Sequence, residues 1–327
     1  MTKERAEQIL NGFSGKRILV IGDVMLDEYI WGSVNRISPE APVMIVDVNK
    51  YSHVPGGAAN VVNNICALDA KSAVIGVIGA DEAGNELKSA LESKGAITNG
   101  LVTVDGRPTT RKTRVIAHSQ QVVRIDHEKR NPLAPEIKEQ LYSLIEREIA
   151  LADAVLLSDY QKGALDSDIL KFCVKCAGGR TPITGNLKPK SIGESISLTC
   201  LTLNLPEAKI AADASSMETE EDINAAGKAL LEKTGSENVL ITRGADGLTL
   251  FSASSPHSPV TVPAHPVEVY DVAGAGDTVI SALTLALASG ATPIEAVTLA
   301  NYAGAEAVKK VGVATVSISE ILASIPN

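Results

Sequence analysis

Short apolar runs alternate with longer stretches of helical periodicity along most of this chain, and that alternation limits the fold more than any other feature. The runs lie at 17–23, 72–78, 154–157, 182–184, 201–203 and 238–242. Most are nearly continuous in Val, Ile and Leu, the pattern of strands buried on both faces of a parallel sheet. Between them, 58–68, 84–94, 135–151, 166–177 and 220–234 read as helices. Strand and helix in turn predict the α/β class, with a mostly parallel sheet and helices on both faces. The C-terminal part departs from this rhythm: a strand near 267–270 is followed by two consecutive helices, 274–288 and 293–311.

Two segments interrupt the alternation. Residues 29–48 and 109–126 are rich in β-branched side chains and read as short antiparallel strands inserted between early elements. Within the second, 113–117 and 121–125 flank His118, Ser119 and Gln120 in the manner of a hairpin. They predict a small β-structure that projects from the main body and can cover a cleft or meet a second subunit. No repeat, low-complexity segment or dividing linker is visible, so residues 1–327 are expected to form one domain.

The chain is 45% hydrophobic, enough for a sizeable core, but only 3% aromatic, and its formal net charge is −9. That balance argues against a nucleic-acid or anionic-membrane partner, either of which asks for a basic face. A phosphorylated ligand has to be held by a few focused cations and backbone N–H groups. Residues 1–15 are charged and lack an apolar signal core, and no run approaches the ~20 residues of a membrane span. A cytoplasmic protein with reduced thiols is expected. Cys173 and Cys176 have C-x-x-C spacing, but a structural zinc needs four ligands and only Cys66 and Cys200 remain. The two lie in a helical stretch and are expected to be packing residues. His53, His118, His127, His257 and His265 show no metal-ligand spacing, and neither a G-x-x-x-x-G-K-[ST] nor a strand-linked G-x-G-x-x-G motif occurs.

The chemistry concentrates in residues 271–284. Gly274, Ala275 and Gly276 are small residues where a strand gives way to an apolar helix, and small residues let the backbone approach a ligand closely. Their N–H groups at a helix N-terminus point at an anion, reinforced by the helix dipole. Asp277 then falls in the first helical turn beside that anion hole. A carboxylate there can take the proton from an attacking hydroxyl while the N–H groups stabilise a transferred phosphoryl group. A second segment, 55–60, places Gly56 and Gly57 before a helix and offers Asn60 as both donor and acceptor to sugar hydroxyls.

These two segments, in their order and separation, resemble the two signature motifs of the ribokinase-like (PfkB) carbohydrate kinases, a likeness running from about Arg17 to Leu322. It implies a three-layer α/β/α sandwich with a small β-sheet lid, ATP and Mg²⁺ as cofactors, and a homodimer formed through the lid. Asp69 stands where that family usually has glycine. Within the family, residues 22–27, 36–43, 120–126 and 157–163 look like the heptose-7-phosphate kinase part of bifunctional ADP-heptose synthesis proteins. That likeness implies a sugar phosphate as partner, with Asp27 and Asn60 on sugar hydroxyls and Arg124 and Lys162 on the existing phosphate. Lys188 falls on a substrate-side lysine position, but Asn186 replaces the acid of the usual Asp-Pro-Lys. The chain stops at Asn327 without a cytidylyltransferase-like segment, which reads as a stand-alone kinase.

By the same resemblance Asn204 and Glu207 organise Mg²⁺ and phosphate, though Asn204 followed by Glu207 is also a helix-capping arrangement. Thr242, Arg243, Gly244 and Gly247 look like the nucleotide-phosphate loop. Asn301, Ala303 and Ala305 match the adenine pocket by position, and 312–317, including Ser317, matches a region that carries a monovalent cation such as K⁺ together with Asp271.

Overall fold

The computed structural model describes residues 1–118, 120–193 and 195–326. In chain order it begins α1 (Lys3–Asn11), β1 (Arg17–Gly22), β2 (Val24–Ile37), β3 (Met44–Gly57), α2 (Ala58–Ala67), β4 (Lys71–Gly79), α3 (Glu82–Glu92) and β5 (Ile97–Val104). There follow β6 (Arg111–Ala117), β7 (Gln120–His127), α4 (Pro135–Ile149), β8 (Ala154–Ser158), α5 (Ser167–Ala177), β9 (Ile183–Asn186), β10 (Cys200–Asn204) and α6 (Leu205–Ala211). The last third holds α7 (Glu220–Thr234), β11 (Asn238–Thr242), β12 (Leu248–Ser252), β13 (Val260–Val262), α8 (Ala275–Ala288), α9 (Pro293–Val308) and α10 (Ile318–Ser324).

Nine strands form the main sheet in the order β13-β12-β11-β10-β9-β8-β1-β4-β5. Pairing is parallel from β11 to β5 and antiparallel at the β12–β13 edge. The continuous apolar runs follow from burial on both faces. Ile18 and Val20 of β1 face a core shared with Ile65 of α2, Leu283 of α8 and Leu299 of α9. Leu19 and Ile21 face the opposite core, with Ile145 of α4, Ile169 of α5 and Leu230 of α7. Each such side chain contributes about 1.5–3 kcal/mol on leaving water, so the central strands are the most strongly held part of the chain. Cys173 is buried on α5 among the second core, in keeping with a packing role.

A second sheet, ordered β3-β2-β6-β7, forms the lid. β2 and β3 together reach beyond the 29–48 segment at both ends, β6 and β7 nearly coincide with 109–126, and the middle pair, β2 with β6, is parallel, not antiparallel as expected. The cause is topological: β2 continues from β1 and β6 follows β5, and β1 and β5 run the same way in the main sheet. The hairpin of β6 and β7 pairs Thr113 with Ile125 and Val115 with Val123; Ser119 of its expected turn lies outside the described residues.

The strand expected at 267–270 does not form. Pro263 and Pro266 interrupt the segment, and proline cannot donate to a ladder. Instead the Tyr270 and Asp271 N–H groups donate to the Val308 carbonyl at 2.8 and 3.3 Å, which ties the segment to the end of α9. Asp69 takes a left-handed φ of 60° after α2, a conformation that glycine adopts more readily.

Candidate active site

Asp277 occupies the first turn of α8, whose N-cap is Gly274 with φ of 79°. Glycine suits that position twice over: the conformation is left-handed, and a Cβ there would stand 3.1 Å from Nδ2 of Asn60. Asn60 lies in the first turn of α2, and polar groups stitch α2 to α8. Thr278 Oγ1 donates to Asn64 Oδ1 at 2.8 Å, and Asn64 Nδ2 donates to the Asn60 carbonyl at 2.9 Å. Asn60 Nδ2 in turn donates to Asp277 Oδ2 at 2.7 Å. The other carboxylate oxygen, Oδ1, accepts the Tyr160 hydroxyl at 2.7 Å.

Burial pushes the Asp277 carboxyl above the usual carboxylate range. Its bonds from Asn60 and Tyr160 and the charge of Lys188 oppose that rise, and Asp27 adds to it. Burial and the negative charge of Asp277 hold the Tyr160 phenol well above its ordinary value, so it stays a donor at neutral pH.

The loop carrying Tyr160 follows β8 and is held by two buried carboxylates at the C-terminal ends of neighbouring strands, where open α/β sheets place their ligands. Asp23 accepts the N–H groups of Tyr160, Lys162 and Ala164 at 2.8, 2.9 and 2.9 Å. Burial raises its carboxyl and these three bonds oppose the rise. Asp159 accepts the N–H groups of Gln161 at 2.7 Å and Lys188 at 3.0 Å. Tyr160 is therefore set by backbone anchors on both sides.

On the lid side, Asp27 of β2 accepts Arg114 Nη1 at 2.6 Å. Gly56 on the paired strand makes room for it, since a Cβ there would lie 2.3 Å from Asp27 Oδ2. On the opposite side, Lys188 Nζ stands 2.5 Å from Glu207 Oε1 and 5.4 Å from the centre of the Tyr160 ring. Glu207 and Asn204 form a reciprocal capping box at the start of α6, so the capping reading of this pair holds.

The Ala275 N–H donates to Val272 O at 3.3 Å. Gly276 and Asp277 are then the first-turn N–H donors of α8 without an intrahelical acceptor. A buried, oriented carboxylate beside such donors can accept a proton while anionic oxygens are stabilised within the same turn, the requirement of phosphoryl transfer to a hydroxyl.

The family model of pfkB carbohydrate kinases matches residues 16–320. The chain belongs to that family. Among curated relatives of the kinase, the bifunctional protein HldE of Desulfatibacillum aliphaticivorans is 43% identical over 281 residues, covering 85% of this chain and 56% of that protein. HldE of Geotalea uraniireducens is 43% identical over 328 residues, covering 99% and 66%. The kinase thus spans less than two thirds of the length of these relatives. Among solved structures, Arabidopsis thaliana ribokinase complexed with ribose and ATP superposes with a TM-score of 0.73 at 18% identity, covering 95% of this chain and 98% of that one. Phosphofructokinase-2 from Escherichia coli in complex with potassium gives 0.73 at 18%, covering 94% and 96%. These two likenesses establish the ribokinase-like fold.

The other residues singled out in the sequence make the following contacts in the kinase. Arg124 is exposed and closes a two-point fork on Asp126 at 2.9 and 3.0 Å. Lys162 is buried and pairs with Glu128 at 2.6 Å. Thr242 ends β11, and the Arg243 N–H donates to the Gly247 carbonyl at 2.8 Å across the short turn that contains Gly244. The Arg243 guanidinium pairs with Glu220 at 2.5 Å. Asn301 Nδ2 donates to the Pro263 carbonyl at 2.8 Å, and Ala303 and Ala305 are buried on α9.

For metals, Asp271 accepts the N–H groups of Ala273 and Gly312 at 3.0 and 2.9 Å. Ser317 is the N-cap of α10, bonded to Glu320. That capping engages the Ser317 hydroxyl, while both Asp271 oxygens accept backbone N–H groups. Among the described residues no group of three or more His, Cys, Asp or Glu side chains could hold a metal ion. Glu207 offers a single cleft carboxylate, which fits a magnesium carried mainly by phosphates and water.

Sequence reasoning did not single out Tyr160, Arg114, Asp23 or Lys112. Tyr160 and Asp23 lay inside conspicuous segments, but nothing in a linear reading shows a tyrosine reaching an aspartate 117 positions away. Two cavities of about 590 and 210 Å³ open beside α5, and neither is lined by Asp277, Asn60, Tyr160 or Lys188.

Proposed function

We propose that this kinase transfers the γ-phosphoryl group of ATP to the anomeric hydroxyl of D-glycero-D-manno-heptose 7-phosphate, giving the 1,7-bisphosphate, with Asp277 as the base. The observation that carries the chemistry is the pairing of a buried carboxylate, gripped by Asn60 and Tyr160, with the open first-turn N–H groups of α8. The choice of sugar is supported by the resemblance of residues 22–27, 36–43, 120–126 and 157–163 to heptose-7-phosphate kinases and by the relatives named HldE.

In this mechanism the sugar hydroxyl displaces a donor from Asp277 and gives it its proton. The hydroxyl oxygen bonds to the γ-phosphorus as the bond to the ADP oxygen breaks. The N–H groups of Gly276 and Asp277 stabilise charge on the transferred group. Asn60 and Asp27 orient sugar hydroxyls, and Lys188 meets phosphate charge as it leaves Glu207. Glu207 would hold a nucleotide-bound magnesium, whose charge would offset that of the phosphates. Asn186 contributes its backbone carbonyl, which accepts the Asp159 N–H at 3.0 Å, so the Asp159 anchor does not depend on the missing acid.

The lid exposes Trp31, Ile37, Met44, Tyr51 and Ile125, and a second copy of the kinase is the partner assigned to that surface. Among the described residues no helix is long and apolar enough to cross a membrane.

The deciding experiment is ADP release measured over heptose 7-phosphate, fructose 6-phosphate, fructose and ribose. The largest kcat/KM is expected with heptose 7-phosphate. A larger value with another sugar replaces the substrate, and no turnover with any of them refutes the catalytic reading.

A further inference from the structure

The cleft-facing side of the lid carries a grid of charges set by strand register. Asp27, Lys112 and Asp126 stand opposite one another across β2, β6 and β7, and Tyr29, Arg114 and Arg124 form the next row. Residues directly opposite share a face of the sheet, so Lys112 lies between two carboxylates. Neither closes on it. Asp27 accepts Arg114 Nη1 at 2.6 Å, and Asp126 takes the two-point fork of Arg124 at 2.9 and 3.0 Å.

Lys112 forms no salt bridge among the described residues, although it is half-buried. Its ammonium stands 5.8 Å from the centre of the Tyr160 ring, the same ring whose hydroxyl donates to Asp277. Burial lowers the basicity of Lys112 most; the charges of Asp27 and Asp126 oppose that fall, and those of Lys162 and Arg124 add to it. A half-buried cation whose facing carboxylates are held by other cations is only partly compensated, and a bound anion would relieve it.

The neighbours narrow the role further. Lys188, the other lysine over Tyr160, already has Glu207 as its partner and lies toward α6. Lys162 is neutralised by Glu128, and Arg124 by Asp126. Lys112 is therefore the cation on the lid side of the base that closes on no carboxylate among the described residues, over the ring whose hydroxyl reaches Asp277.

We propose that Lys112 receives the non-reacting phosphate of the sugar substrate and so selects a phosphorylated sugar over its neutral parent. The inference rests on the reading of the kinase as acting on a sugar phosphate, and it moves the phosphate contact from Arg124 and Lys162 to a residue one strand inward. A charge-assisted contact of this kind is worth roughly 10- to 100-fold in affinity.

The test compares wild type, Lys112→Gln and Lys112→Arg, after checking equal melting temperatures, on heptose 7-phosphate and on unphosphorylated heptose. Lys112→Gln is expected to raise KM for heptose 7-phosphate roughly 10- to 100-fold, to leave KM for ATP within about twofold, and to leave the unphosphorylated sugar unaffected. Lys112→Arg should recover part of the loss. An unchanged KM for heptose 7-phosphate, or a matching rise in KM for ATP, overturns the assignment. If wild type turns over both sugars equally well, no phosphate is selected, and both the assignment and the sugar-phosphate reading fall. If wild type acts on neither, only the heptose identity falls, and fructose 6-phosphate against fructose decides Lys112 by the same comparison.

Discussion

Tyr160 and Asp277, 117 positions apart in the chain, meet through a 2.7 Å hydrogen bond in which the phenol donates to Oδ1 of the carboxylate. The bond joins the loop after β8 to the first turn of α8. It makes the ionisation of Asp277 depend on a residue outside both glycine-rich segments.

Replacing Tyr160 with Phe removes a donor that holds the Asp277 carboxyl down against the effect of burial. A base works when ionised, so kcat falls as pH drops through its pKa. Loss of the bond raises that pKa further, and the acidic limb of the kcat profile should move to higher pH while kcat on the plateau changes little. A limb that stays in place, or moves to lower pH, is incompatible with the role given to Tyr160.

Asp277→Asn should lower kcat by about 10²–10⁴, with nucleotide affinity by calorimetry nearly intact. The same variant has a stability signature. Because the folded-state pKa of Asp277 is raised, its contribution to stability is fully present below the unfolded pKa and is lost as pH rises through the folded value. At pH 8 the variant should therefore melt at or above the wild-type temperature. At acid pH that advantage should disappear. Wild-type turnover by the variant would remove Asp277 from the mechanism.

Gly56→Ala places a methyl 2.3 Å from Asp27 Oδ2 and 3.1 Å from Met25 Cγ. Asp27 has to leave its position, and its bond to Arg114 goes with it. KM for the sugar should rise by about tenfold or more, one charge-assisted bond's worth, while KM for ATP holds. Equal effects on the two substrates, measured by steady-state kinetics, would place Gly56 outside the sugar site.

Lys188→Gln removes a cation that also lowers the Asp277 pKa and leaves Glu207 without its 2.5 Å partner. The expected result combines a fall in kcat/KM of about 10²-fold, within the range for loss of an electrostatic stabiliser, with the same upward shift of the acidic limb as Tyr160→Phe. A double variant should shift it further than either alone. A fall in rate with no shift would confine Lys188 to phosphate binding.

Much of this molecule is legible in its linear pattern. Continuous apolar runs such as 17–23 and 238–242 identified central strands because both faces of a parallel sheet are buried, and no register argument is needed. Asp277 and Asn60, which meet at 2.7 Å, could be singled out because small residues before a helix allow a close approach, although Gly-Gly there is often only a turn. The segment 267–270 misled because its β-branched composition was given more weight than Pro263 and Pro266. The edge strands were not singled out: β13 has only three residues, and β12, as long as β11, follows it through a short turn.

The parallel pairing of β2 with β6, the Tyr160 bond to Asp277 and the isolation of Lys112 were decided only in three dimensions. Local sequence determines which backbone conformation each segment prefers and which face it must bury, since both depend on neighbours within one or two turns. It does not determine which carboxylate each cation closes on. Arg114, Arg124, Lys162 and Lys188 each find one, whereas Lys112 closes on none among the described residues, and that difference comes from strand register and from side-chain reach across sheets that meet only in the folded chain.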